Sequence, residues 1–393
     1  ISQMGGRSRL LVLSRRLVDQ SINRVLPSVS SALPSSSSSS LPTGSRGIHT
    51  TAPALARFRT TTPAPLKEIG VVLPPIEGVY QPGQLFVHRL FAYKGIILCS
   101  FKTKVIEKTD DPKDPVIKRD ETQYQVLIHR GDWASMGFPV DLTAYLAESN
   151  SYANRGEKVF TTMNGLDCVS HADILPFAGS ERSPIDHDLF DRIFHSSEAA
   201  SESQQAEAGG VPVVRYSIRN EIRPFYMSST RSWMAPCHVN RETNEGIEVT
   251  VTTFYLGTTL SGGQPKHMWR YVMRLNNLTG STVIVRERHL KVFSLNSMHQ
   301  LNGHGVVGRQ PELTAARPAF QFSSNVDLSQ SKGGHMWGSF KMERENGTTF
   351  DVHIPAFQLD APISDSPVPS SPATPPPPHP SAPSPTPPIP TPE

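Results

Sequence analysis

Cysteine is nearly absent: Cys99, Cys168 and Cys237 are the three in 393 residues, far apart and odd in number. They cannot build the disulfide framework of a small secreted domain, and they fit a reducing compartment. Metal-ligand spacing is missing too. The fourteen histidines form no HxxxH or HExxH pair and no CxxC occurs, so no metal and no cofactor is expected. Long apolar runs are also lacking. The longest near the middle, residues 96–99, is far too short to cross a bilayer, so no membrane partner is expected.

Acids are missing from one end and cations from the other. Residues 1–60 hold eight arginines against one acid, Asp19, a net +7. Leu10, Leu13 and Leu17 fall at helical spacing beside Arg9, Arg15 and Arg16, the pattern of a mitochondrial transit peptide, expected over 1–58. The tail, 361–393, holds 15 of the 36 prolines and no Lys, Arg or aromatic residue, and is expected to be disordered. Between them, residues 61–360 carry 30 basic and 32 acidic side chains, a net −2. The formal +3 of the whole chain therefore describes an import signal. A nearly neutral body has little of the charge that a phosphate-driven grip on DNA requires, so direct DNA binding is the weaker reading.

About 300 residues exceed what one core usually organises and point to two domains. From 69 to 180, short β-rich runs such as Gln84-Leu85-Phe86-Val87 and Tyr124-Gln125-Val126-Leu127-Ile128 predict a small SH3-like β-barrel. The charged stretch 108–121 reads as a loop, and helix is expected at 142–148 and 185–194. Residues 181–235 read as a partly helical connector whose Ser/Glu/Gln-rich part, 196–210, is expected to be disordered. From 236 to 360 the alternation is strong: Ile247, Val249, Val251; Trp269, Tyr271, Met273, Leu275; Val283, Val285; Phe340, Met342; Val352, Ile354. Period two with turns such as Asn346-Gly347 predicts an antiparallel β-sandwich, and the fold class is all-β with minor α.

Gly303-His304-Gly305-Val306-Val307-Gly308 spells GxGxxG, but Pro311 and Pro318 interrupt the helix that a dinucleotide fold needs there. What remains is a candidate anion-binding loop built on Gly303, Gly305, Val306 and Gly308, against the plainer reading of a β-turn cluster. Cys168-Val169-Ser170-His171 and Ser329-Gln330-Ser331-Lys332 lack the partners that nucleophilic catalysis needs. In Gly334-His335-Met336-Trp337-Gly338 the indole either fills the sandwich core or, with His335, stands at a recognition surface. No pair of carboxylates is singled out, so no catalytic residue is named and no enzyme is expected.

Gly83 to His88, Phe91 to Gly95 and Val169 to Pro176 resemble the YccV (HspQ-like) domain, some members of which bind hemimethylated DNA while others influence a bacterial protease. Arg286 to His289, Gly303 to Pro311, Gly334 to Gly338 and Phe350 to Phe357 resemble an ApaG domain, a fibronectin-III-like sandwich. The two in this order behind a presequence resemble the polymerase delta-interacting protein 2 family. That resemblance implies a monomeric, non-enzymatic adaptor of the mitochondrial matrix with a secondary nuclear pool. The partners it implies are a ClpX-type unfoldase, DNA polymerase subunits, the sliding clamp and a primase-polymerase.

Overall fold

The computed structural model describes residues 69–109, 115–148, 158–198, 214–223, 233–261, 264–295 and 297–362. The expected presequence, most of the 196–210 segment and the proline-rich tail beyond Pro362 lie outside the described residues.

The first unit holds β1 (Val71–Val72), β2 (Leu85–His88), β3 (Lys94–Lys108), β4 (Ile117–Ile128), β5 (Thr143–Glu148), β6 (Lys158–Met163), β7 (Leu166–Ser170) and β8 (Ile174–Ala178). Its sheet runs β1-β8-β2-β3-β4-β7, with β5 and β6 as a separate hairpin. The expected barrel is not closed: among the described residues nothing pairs β7 to β1, so the sheet stays curled and open. Residues 95–99 are all buried because both faces of β3 are covered. Ile97 meets Phe86, Tyr93 and Val126 on one side; Ile96 and Leu98 meet Leu127 and Phe177 on the other.

That second face is capped by the stretch read as a connector. Its helix shrinks to one turn, α1 (Phe190–Ile193), followed by the hairpin of β9 (Phe194–Glu198) and β10 (Val214–Ile218). Phe190, Ile193, Phe194 and Tyr216 all bury against the first unit, each side chain contributing about 1.5–3 kcal/mol. The helix expected at 142–148 is strand β5 instead, because pairing from Thr143–Met163 to Glu148–Lys158 satisfies the backbone that a lone helical turn would leave open. The charged loop is shorter than expected, since Ile117 to Glu121 pair with β3 out to Glu107.

The second unit is a sandwich. One layer is β11 (Pro236–Asn244), β12 (Ile247–Ser261), β13 (Gln264–Asn277) and β17 (Ala319–Leu328), all antiparallel. The other is β15 (Ser297–His304), β14 (Val283–Ser294), β18 (Gly334–Arg344) and β19 (Thr349–Leu359), with β16 (Glu312–Leu313) beside β14. The period-two residues point inward: Ile247, Val249, Val251, Trp269, Met273, Leu275, Val285, Phe340 and Val352 are fully buried. Gly347 takes the positive φ, 80°, that its tight hairpin requires.

The two units share a sheet. The far half of β3 pairs in parallel with β11, from Lys104–His238 to Lys108–Glu242, so the first unit's sheet continues into one layer of the sandwich.

Candidate protein-recognition face

The glycine loop follows β15 directly and no helix starts there. Gly305 and Gly308 have φ of 60° and 69°. The Gly305 amide donates to the Arg286 carbonyl at 2.7 Å and the Val306 amide to the Arg309 carbonyl at 2.7 Å. Val306 itself is buried in the sandwich core. Two amides of the loop are thus spent on backbone closure, whereas those of Val307 and Gly308 stay free among the described residues. Gly303 pairs with Arg288 across β14, and the buried Arg288 Nε has no hydrogen-bond partner.

His335 and Trp337 alternate with the buried Met336 and are only half-buried, so both stand on the outer face of their sheet and the indole does not fill the core. The register places Lys291 beside Trp337 and Phe293 beside His335 on β14, then Gln300 beside Lys291 and Met298 beside Phe293 on β15. Phe293, Leu295, Met298 and Leu301 are all exposed, Leu295 at 64% and Met298 at 55%. Phe293, Met298, Trp337 and His335 therefore form an apolar and aromatic outer face that runs into a free edge at β15. The sequence reading named two of these residues and missed the hairpin. The signal it held was the 293–301 stretch, where apolar residues alternate poorly because Phe293 and Met298 face solvent while Leu290 and Val292 face the core.

The groove between the units is filled. The Asp167 carboxylate accepts hydrogen bonds from Tyr93 Oη (2.9 Å), the Cys168 amide (2.7 Å) and Gln321 Nε2 (3.0 Å). Arg274 donates to Asp173 at 2.6 Å and to Gln321 Oε1 at 2.9 Å. Burial pushes the Asp167 carboxyl up, with Arg274 and its donors partly offsetting this. Burial pushes Asp173 the same way, but there Arg274 prevails and holds the carboxyl below the ordinary range. The space left beside Cys168, Arg241, Arg274 and Gln321 is about 20 Å³, the size of one water. Desolvated side chains that satisfy each other across a seam leave no room for a partner.

Among the described residues, no three His, Cys, Asp or Glu side chains gather as a metal site. Among the same residues, no helix is long and apolar enough to cross a membrane.

Fold and face together define an all-β protein of the protein-interaction class, with residues 258–344 matching the ApaG domain. Polymerase delta-interacting protein 2 of Homo sapiens is 34% identical over 313 residues, covering 75% of this chain and 80% of that protein, and the protein of the same name from Mus musculus matches to the same extent. The chain belongs to the polymerase delta-interacting protein 2 family. Protein ApaG of Paramagnetospirillum magneticum is 39% identical over 124 residues, 31% of this chain and 92% of its own. These relatives are named as an interacting protein or an ApaG protein, and none as an enzyme.

Proposed function

We propose that the protein is a non-enzymatic adaptor of the mitochondrial matrix, with a secondary nuclear pool, that joins protein partners through the second unit while the first is held rigidly beside it. The observation that carries this reading is the exposed apolar face of Phe293, Met298 and Trp337 ending in a strand that is paired on one side only among the described residues, whereas the Asp167–Gln321–Arg274–Asp173 cluster between the units is closed on itself. The human relative's name refers to polymerase delta, which makes polymerase subunits the first partners to test. The sliding clamp, a primase-polymerase and a ClpX-type unfoldase belong to the same proposal, supported by the family resemblance. The Arg-rich first 60 residues support the matrix location.

Proximity labelling with the full chain tests it. The labelled set is expected to be matrix proteins, enriched in the unfoldase or in replication proteins, and to shrink with Phe293→Ser/Met298→Ser. A labelled set unchanged by that double variant, or one without those classes, removes the reading.

A further inference from the structure

Among the described residues, the sheet edges at β1, β17 and β19 are blunted in the usual ways and that at β15 is not. β1 is two residues long, β17 carries Asp327 paired to Lys266 at 2.7 Å, and β19 carries Asp351 and Pro355. β15 is eight residues long, reads SMHQLNGH, and contains no Lys, Asp, Glu or Pro; seven of its eight residues are exposed. Its partner β14 lies on one side only.

The pairing fixes which groups of β15 are open. In an antiparallel ladder, directly opposed residues alternate between exchanging both hydrogen bonds and exchanging none. The Gly305 amide bonds the Arg286 carbonyl, so the opposed pairs in phase with it, Arg288–Gly303, Leu290–Leu301 and Val292–His299, are the bonded ones. The amides and carbonyls of Met298, Gln300 and Asn302 therefore face outward, a ready ladder for one more strand.

We infer that β15 is the docking strand for an extended partner segment that carries both apolar and acidic side chains. The inference rests on the adaptor reading and names the surface through which it works. Met298 borders the new strand on the outer face with Phe293 one strand behind it, and Leu301 borders it on the inner, which supplies the apolar contacts. Charge supplies the rest. Lys291 on β14, Lys332 in the turn tethered to the hairpin by Ser294 Oγ to Gln330 Oε1, and Arg309 beyond the glycine loop are exposed cations. Acids nearby are already engaged: Glu287 with His289 at 3.0 Å, and Asp360 with the Gly333 amide at 2.7 Å. A second copy of this chain would bring the same cations against themselves. The chain's own tail has 15 prolines in 33 residues, each without an amide to donate.

A displayed library of random twelve-residue peptides, selected on the full chain and then measured as synthetic peptides by fluorescence anisotropy, tests this. Enriched sequences are expected to combine apolar residues with Asp or Glu. Gln300→Pro removes one outward amide and no bond to β14, so the fold is kept while affinity falls roughly tenfold, the upper end of one hydrogen bond's share because the ring also blocks the approach. Lys291→Glu is expected to weaken the same peptides, and circular dichroism and melting of both variants report the fold. Proline-rich winners, winners indifferent to Gln300→Pro, or no winners overturn the inference, as does a dimer in sedimentation that Gln300→Pro dissociates. If proximity labelling finds partners that Phe293→Ser/Met298→Ser loses but Gln300→Pro retains, the adaptor reading stands and the docking strand falls.

Discussion

His88 gives the sharpest prediction about acid sensitivity. The ring is fully buried, tilted against Phe91 and Tyr93 with both centroids 4.9 Å away, and its Nδ1 accepts the amides of Leu90 (3.1 Å) and Phe91 (3.3 Å). Two donors on Nδ1 place the proton of the neutral ring on Nε2, which is buried without a partner. Burial, with Arg274 adding to it and Asp173 opposing it, lowers the ring from 6.5 to about 3. The unfolded chain takes up a proton below about pH 6.5 that the folded chain refuses, so folding stability is whole above that pH and drains as pH falls toward 3. At about 1.36 kcal/mol per pH unit, the loss between pH 6.5 and 4.5 is roughly 2.5 kcal/mol from this one side chain. Urea unfolding across that range, comparing wild type with His88→Asn, isolates the effect, because Asn can still accept the two amides but does not titrate, and Asp173 and Arg274 are common to both. The two stability curves are expected to converge by that amount on acidification. Parallel curves, or a ring proton titrating above pH 5 in NMR spectra, would refute the reasoning.

Asp167→Ala leaves Tyr93 Oη, the Cys168 amide and Gln321 Nε2 buried without an acceptor; at about 1–3 kcal/mol each, the protein should lose roughly 3–9 kcal/mol in urea unfolding, and a loss under about 1 would mean the seam is not holding the units together. Gly338→Ala places a Cβ on the His289 carbonyl oxygen in the β14–β18 ladder, so the melting temperature should fall by the equivalent of about 3 kcal/mol. Val307, β-branched at φ 49°, is held in the left-handed region; Val307→Gly should stabilise by about 1 kcal/mol, and an unchanged or lower melting temperature would show that no strain is stored there.

The sandwich was legible because its strands bury one face each, which prints apolar residues at every second position, as in Val249, Val251 and Trp269, Tyr271, Met273. The first unit was less so. β3 is buried on both sides at Ile96 to Leu98, and such a run carries no period from which to tell what covers it. Leu142 to Glu148 reads as helix locally, yet strand pairing to β6 overrides that preference. The parallel β3–β11 contact joins segments with nothing in common locally, so no window of sequence contains it. At the recognition face, Trp337 was visible as an aromatic residue between glycines, but which face of the strand it took depended on the β14–β18 register. The open edge was invisible for a different reason: a missing neighbour leaves no mark on the strand that lacks it.

The parallel seam also has a consequence in time. Lys104 and His238 lie roughly 130 residues apart in the chain. At about 5–20 residues per second, a ribosome needs on the order of 10–30 s to supply the second after the first. Until β11 emerges, one edge of the outer half of β3 stays open on the nascent first unit while β4 covers the other. A newborn molecule therefore has two open edges in succession, one that its own later sequence closes and one, at β15, that the finished chain keeps.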